Sequence, residues 1–375
     1  MAFSYYRTIT IDKTKVPNTN QTNFPVLVSG TYTYLKTVGN GGSVQNANGY
    51  DVGFYSDSAL TTKLKWQTQK YTASTGEVVY WVKVPTVSTS VDTVIYMAYG
   101  DASISTDQSD STNVWDTNFQ AVYHMDESSL GTGGATVSDS TSNARNMVTA
   151  VSGTGDVQPA TGKIGGGIAI TGSNQYQGGY ITNSSNSGLG SGTSLTVECW
   201  VSFPSSRSYD AGYNFFVQRT TSYPYYTAGL RVDSTNNGVA GSFDDNSGNH
   251  YTTTRAAVSL NTLYYVVTTY DGSTVKTYLN GALAYSTSAS FSIGADAPFY
   301  VGYSPAEGFR YTEMTIDELR LSNSTRDVNW ITTGYNNQNS PSTFYTVGSE
   351  VVVGASFIAK VFRFVRQAVN RASTY

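Results

Sequence analysis

Few side chains in this chain could carry chemistry: seven glutamates, a scatter of aspartates, two histidines (His124 and His250) and one cysteine, Cys199. Retaining hydrolysis of a glycosidic bond needs two carboxyl groups about 5–5.5 Å apart, one nucleophile and one acid. On a strand, positions two apart point to one face, so such a pair would read as acids alternating with other residues. No glutamate begins such a run. Glu198 is followed by Cys199-Trp200-Val201-Ser202, and Glu313, Asp317 and Glu318 have other spacings. A Gly-x-Ser-x-Gly elbow, a phosphate loop and a dinucleotide fingerprint are all missing. His124 lies between Tyr123 and Met125 in a strand-like run and reads as structural. His250 follows the polar turn Asp244-Asp245-Asn246-Ser247-Gly248-Asn249 and reads as solvated. With one cysteine there is neither an intramolecular disulfide nor a Cys/His zinc site. Cys199, in the run Leu195 to Val201, reads as a buried structural thiol. The chain is expected not to be an enzyme.

Binding chemistry has better material. Calcium takes hard oxygen ligands, and Asp126, Asp139 and Asn143 could provide them, with Asp244-Asp245-Asn246 as a second set. The alternative is that these Asx side chains only hold turns and strand ends. No cofactor is required, and calcium is the one candidate. Glycan binding needs aromatic faces beside amides and hydroxyls. Residues 205–227 hold such a set, and Tyr209, Tyr213, Asn214, Tyr223, Tyr225 and Tyr226 are the expected glycan-binding residues. Tyrosine is also a low-entropy contact residue at protein interfaces, and a chain with 30 tyrosines could hold such a cluster without function.

The elements that must position these residues follow from composition. Among 375 residues, charged side chains make up 13% and apolar ones 39%, with 36 glycines and 13% aromatics. A helical bundle would need far more Ala, Leu, Glu and Lys, and a disordered chain far fewer aromatics. Thr and Tyr suit pleated, half-buried surfaces, and Gly and Asn suit turns, so the chain is expected to be all-β. The net charge of −4 gives no nucleic-acid footprint. No stretch approaches the roughly 18 apolar residues of a membrane span, and membrane contact is not expected.

Three blocks follow along the chain. Residues 1–113 form an N-terminal β-sandwich, with strands at Phe24 to Val28, Tyr50 to Tyr55, Val78 to Val84 and Thr93 to Tyr99. Residues 101–113 have the composition of a linker or long surface loop. Residues 114–348 form a second sandwich or jelly roll. Its strongest signal is Asp271-Gly272 and Asn280-Gly281, two type I′ turn pairs that mark a three-stranded meander. Residues 349–375 differ in kind: Phe357, Ile358, Val361, Phe362, Val365, Ala368 and Val369 form an apolar stripe flanked by Lys360, Arg363, Arg366 and Arg371. This predicts a basic amphipathic helix for attachment or oligomerisation. A helix docked on its own domain, or one lying on a membrane surface, are the other readings.

Several motifs carry a resemblance. Phe119 to Glu127, Asp139 to Asn143, Ser194 to Val201, Thr277 to Gly281 and Ile316 to Leu321 are similar, in order, to LamG-like domains of the concanavalin A-like lectin/glucanase superfamily. Tyr6 to Ile11, Asn23 to Val28 and Val94 to Gly100 resemble an uncharacterised β-domain that often precedes LamG-like domains in bacterial and phage surface proteins. The resemblance implies two β-sandwiches and a binding module or scaffold. The Glu-x-Asp-x-Glu strand of the superfamily's glucanases is missing. The composition looks extracellular, whereas Tyr6 to Asp12 alternates like a strand from the outset and does not read as a secretion signal. A virion protein, made in a host cytoplasm and working outside it, satisfies both. The expectation is therefore a non-enzymatic virion surface protein, a phage decoration or fibre component, that meets cell-surface polysaccharide. It would be a homo-oligomer, joined to other particle proteins by its C-terminal helix. A secreted, extracellular adhesin module and a purely structural particle protein are the alternatives.

Overall fold

The structure is a computed structural model that describes residues 3–184, 192–205, 213–218, 228–233, 238–245, 249–293, 298–305 and 310–354. It is mostly β, built as two sandwiches of antiparallel strands. The first has one sheet in the order Tyr345–Val347, Tyr5–Ile11, Thr93–Tyr99, Val52–Tyr55, and a second in the order Gln21–Thr31, Glu77–Val87, Lys65–Thr72. The near-continuous apolar run within Glu77–Val87 has a physical cause, because this central strand is covered on both faces. Tyr80 stacks edge-on to Phe54 inside the sandwich, while Trp81 points the other way, to Trp115.

The second sandwich is larger. Its first sheet orders Asp156–Ile164, Gly166–Asn174, Met314–Ser322, Leu195–Ser202, Tyr264–Tyr270, Thr274–Leu279 and Ala282–Ser288. Phe119–Tyr123 pairs with the later half of Met314–Ser322. Its second sheet orders Thr136–Val137, Met147–Val151, Gln177–Asn183, Phe299–Val301, Tyr213–Gln218, Ala228–Asp233, Gly238–Asp244 and His250–Thr252. Val197, Cys199, Val266, Leu319 and Leu321 of one sheet meet Ile181, Phe216, Leu230, Val239 and Val301 of the other in one core. The meander expected from its two turn pairs is present. Asn280 and Gly281 both take positive φ, as type I′ requires, but at the first turn only Gly272 does. There the Asp271 carboxylate accepts the Ser273 and Thr274 N–H groups, forming a three-residue loop.

After Ser322 the chain returns to the first sandwich. The helix Val328–Asn339 starts where Asp327 accepts the Trp330 N–H, a side-chain N-cap. One side of it sends Trp330 against Phe24 and Phe119; another lays Ile331 and Tyr335 on Trp200 and Tyr265. The Asn337 amide bonds both Leu27 backbone groups, at 2.6 and 3.0 Å. The strand Tyr345–Val347 then pairs with Ile9–Ile11. The first sandwich is thus completed by residues far outside 1–113, and the expected boundary at 348 falls beyond a strand of the first sheet. The reason is local: an Asn-rich helix such as VNWITTGYNNQN carries little apolar periodicity to read. Residues 101–113 are irregular, yet docked: Asp110 N–H reaches Trp66 O, and its carboxylate pairs with Lys65. Val351–Val352 is a strand on Tyr5–Tyr6, not the start of a helix. The expected helical residues Phe357 to Val369 lie outside the described residues.

Candidate functional site

The outer faces of the two sheets of the second sandwich differ in chemistry. On the first sheet, Glu198, Arg320, Glu318 and Asp317 all point away from the core. Alternation alone could not put Asp317 and Glu318 on one face. A bulge in Met314–Ser322, where Asp317 to Arg320 lie opposite Glu198 to Trp200, supplies the extra residue, with Glu318 at φ +51°, a conformation uncommon outside glycine. Arg320 donates to Glu318 at 2.7 Å and Glu198 at 3.3 Å, and Tyr265 donates to Glu198 at 2.9 Å. His124 Nδ1 lies 2.7 Å from Glu318 Oε1. The first sandwich closes this cluster: the Arg320 guanidinium sits 4.4 Å from the Trp81 ring centre and 5.0 Å from that of Trp115, and His124 stacks on Trp81. Gln69 ties Trp81 to Asp126, and Gln67 ties Trp115 to Ser140.

Burial sets the electrostatics here. Burial alone would raise the Glu318 carboxyl, but the charges and hydrogen bonds of His124 and Arg320 outweigh it and hold the group below its ordinary value. Asp317 moves the other way. Burial, then the neighbouring Glu318 charge, push it well up, against the Lys163 and Ile164 N–H groups it accepts. Burial also raises the Cys199 thiol, which is fully enclosed. These carboxylates resemble a catalytic cluster in composition only. Glu198 and Glu318 are 3% and 1% exposed, and no substrate could reach them. Sequence reasoning missed the cluster, although two adjacent acids inside an otherwise alternating strand signal a bulge.

The outer face of the second sheet carries a groove at one end. Core-facing Leu230, Val232, Val239, Phe243 and Phe299 fix the orientation of their strands, so Arg231, Ala240, Ser242 and Tyr300 lie on the outer face. Register aligns Tyr300, Val217, Gly229, Ser242 and Thr252 in one row across five strands. Gly229, Gly238, Ala240 and Ser242 on these strands are small and buried. Beside them runs an open groove of about 880 Å³, lined by Arg231, His250, Thr252, Thr253, Thr254 and Arg255. Arg255 lies over Gly238, where an added Cβ would meet the Arg255 Cβ at 2.8 Å. The His250 ring accepts or donates at Thr252 Oγ1, 2.6 Å away. Further along the same face, Tyr180 and Tyr300 cluster with Tyr303 and Tyr311.

The expected site residues fall unevenly on this frame. Tyr213 and Asn214 lie in the strand Tyr213–Gln218 of the open sheet, while Tyr209, Tyr223, Tyr225 and Tyr226 lie outside the described residues. Asp139 shares its oxygens among the N–H groups of Val122, Thr141 and Arg145 and the Thr141 hydroxyl. Asn143 donates to the Phe119 and Gln120 carbonyls, and Asp126 accepts from Gln69. Asp126, Asp139 and Asn143 therefore serve strand ends, a turn and a domain contact. Asp245 is likewise held by Asn249 and Tyr251. Among the described residues, no group of three or more His, Cys, Asp or Glu side chains is placed to hold a metal. No helix among them is long and apolar enough to cross a membrane.

Comparison with family models agrees with this architecture. Residues 174–332 match the family model Laminin_G_3, of the concanavalin A-like lectin/glucanases superfamily, and residues 48–133 match DUF2341, a domain of unknown function. No curated protein matches the chain. Among solved structures, the receptor-binding domain of botulinum neurotoxin type G is 13% identical, with a TM-score of 0.44 over 59% of this chain and 52% of its own. The binding domain of Paraclostridial Mosquitocidal Protein 1 is also 13% identical, with a TM-score of 0.45 over 58% of this chain and 52% of its own. The chain spans about half the length of these structures. The larger sandwich is thus a laminin-G-type domain of the concanavalin A-like lectin/glucanase superfamily, preceded by a DUF2341 domain.

Proposed function

We propose that this chain is a non-catalytic surface protein that binds cell-surface glycan through the open outer face of its second laminin-G sheet. The observation that carries the reading is the groove at Arg231, His250 and Thr252 to Arg255: a solvent-open channel lined by guanidinium, imidazole and hydroxyl groups. Such groups exchange hydrogen bonds with sugar hydroxyls. The family match to lectins supports the same class of ligand. The absence of catalysis rests on where the carboxylates are: Glu198, Glu318 and Asp317 are sealed on the opposite sheet.

The display platform belongs to the same proposal. A low-charge, Tyr- and Thr-rich chain with a single buried cysteine suits the outside of a phage-like particle, as a decoration or fibre component. Residues 355–375, with four basic side chains and no acidic ones, would attach or oligomerise it. Two measurements test this reading. On a glycan array the wild type is expected to bind, with the signal lost in His250→Ala and Arg255→Ala; no binding to any glycan overturns it. Light scattering is expected to find an oligomer for the full chain and a monomer for residues 1–354. A monomer in both cases removes the assembly role of the tail.

A further inference from the structure

A second cleft lies away from the groove, where the chain crosses between the two sandwiches. It measures about 490 Å³, within the usual range of ligand clefts, which favour domain junctions. One wall is the start of the strand Gln21–Thr31 in the first sandwich. The others are the outward crossing Asp116 to Asn118 and the return crossing Ser324 to Asp327. The two crossings are locked together. Arg326 donates to both Asp116 oxygens, at 2.8 and 2.7 Å, with its guanidinium 4.4 Å from the Phe119 ring centre and 4.3 Å from that of Trp330. The Asn323 N–H reaches Asn118 O at 3.0 Å, and the Arg326 N–H reaches Thr196 Oγ1 at 2.9 Å. On this frame stand Thr22, Asn23, Thr117, Asn118 and Asp327, all exposed. Among the described residues, the side chains of Thr22, Asn23, Thr117 and Asn118 make no hydrogen bond, and Asp327 keeps one oxygen after capping Trp330.

We infer that this junction cleft binds a small neutral polyhydroxyl molecule, a single uncharged sugar ring, at a site separate from the groove and independent of the glycan reading of it. Charge is balanced at the clamp, because Asp116 and Arg326 neutralise each other. No other lysine, arginine or histidine lines the cleft among the described residues, so nothing there draws an anion. Leu, Ile and Val are missing from the same lining, so an apolar ligand would bury little apolar surface. Carboxamides and hydroxyls both donate and accept. Converging from two domains, they match the neighbouring hydroxyls of a sugar, and a frame fixed before binding spares the cost of ordering it. An extended peptide added to the strand edge is the other neutral ligand of mixed donors and acceptors. That edge is closed beyond Asn23: Pro25 has no N–H, and Asn337 takes both Leu27 backbone groups.

Free methyl glycosides of glucose, galactose, mannose and N-acetylglucosamine, offered to the full chain and read by saturation-transfer NMR, test the inference. One ring held by a few net hydrogen bonds binds in the millimolar range, too weakly to be retained on a washed array, so the readout is distinct from array binding at the groove. At least one glycoside is expected to give a signal in wild type and in Arg255→Ala. Asn118→Ala and Asn23→Gly are each expected to weaken that binding about two- to tenfold. Thr117→Trp, which fills the cleft from its exposed rim, is expected to abolish it. Asn23 holds φ +51°, so glycine removes its amide and keeps the backbone, and melting temperatures read alongside show that each variant is folded. A signal that persists in the three junction variants, or is lost only in Arg255→Ala, overturns the junction site and leaves the groove standing. No signal from any of these glycosides overturns the junction site too, whatever the array shows for the groove.

Discussion

The two outer faces of one sandwich differ: one is sealed, and the other carries the groove proposed for recognition. The face of the Met314–Ser322 sheet carries the charged residues, Glu198, Glu318, Asp317 and Arg320, and is sealed by Trp81, Trp115 and the helix Val328–Asn339. The face of the Gly238–Asp244 sheet carries small residues, hydroxyls and tyrosines, with a solvent-open groove at one end. Among the described residues the richest cluster of ionisable groups fastens two domains together, and the surface proposed for recognition is the plainer one. Buried charges remain only when paired and hydrogen-bonded, so a closed cluster of this kind couples the fit of one sandwich to the fit of the other.

That contrast predicts unequal effects of mutation. Arg320→Ala would leave Glu198 and Glu318 buried without their shared cation, and should lower stability by about 3–5 kcal/mol. Denaturant unfolding would show it, and a loss below about 1 kcal/mol would mean that the interface opens to water. Asn337→Ala removes both partners of the Leu27 backbone and should cost about 2 kcal/mol. Because Asn337 joins the helix to the first sandwich, calorimetry of this variant is expected to split one unfolding transition into two.

A smaller effect concerns pH. The folded-state value of Asp317 is raised, so its contribution to stability is fully present below the ordinary carboxylate range and is lost as pH rises through the folded value. Asp317→Asn keeps a side-chain acceptor for the Lys163 and Ile164 N–H groups and removes that slope. The stability gap between variant and wild type should therefore shift in favour of the variant as pH climbs above the carboxylate range. Parallel profiles would contradict the buried, raised carboxyl. Smallest of all, His250→Ala on the open face should change stability by less than about 0.5 kcal/mol. Added calcium should leave the melting temperature within error, since Asp139 and Asn143 already spend their polar atoms inside the protein.

Much of the architecture was legible in the sequence, and the reasons for success and failure are physical. Thr93 to Tyr99 and the meander around Asn280-Gly281 read correctly because period-two patterning and turn chemistry are local. His124 and Cys199 were placed inside because apolar neighbours flanked both. The helix Val328–Asn339 escaped notice because its apolar contacts are split between two sandwiches, leaving no continuous stripe. The return of Tyr345–Val347 to the first sheet is a pairing over more than 300 positions, which no window can see. The open face was hidden for the same reason. Arg231, Ser242, Thr252 and Tyr300 meet only through the register of their strands, whereas the tyrosines of 205–227 attracted attention by crowding in sequence.

The central claim is that recognition belongs to the open face. Glycan-array binding by the full chain should be compared among wild type, Thr254→Trp, which fills the groove from its exposed rim, and Val91→Trp, placed on an exposed site of the first sandwich. Loss of binding in Thr254→Trp, with Val91→Trp equal to wild type, is the predicted result. Binding that survives Thr254→Trp, or disappears with Val91→Trp alone, would contradict the account.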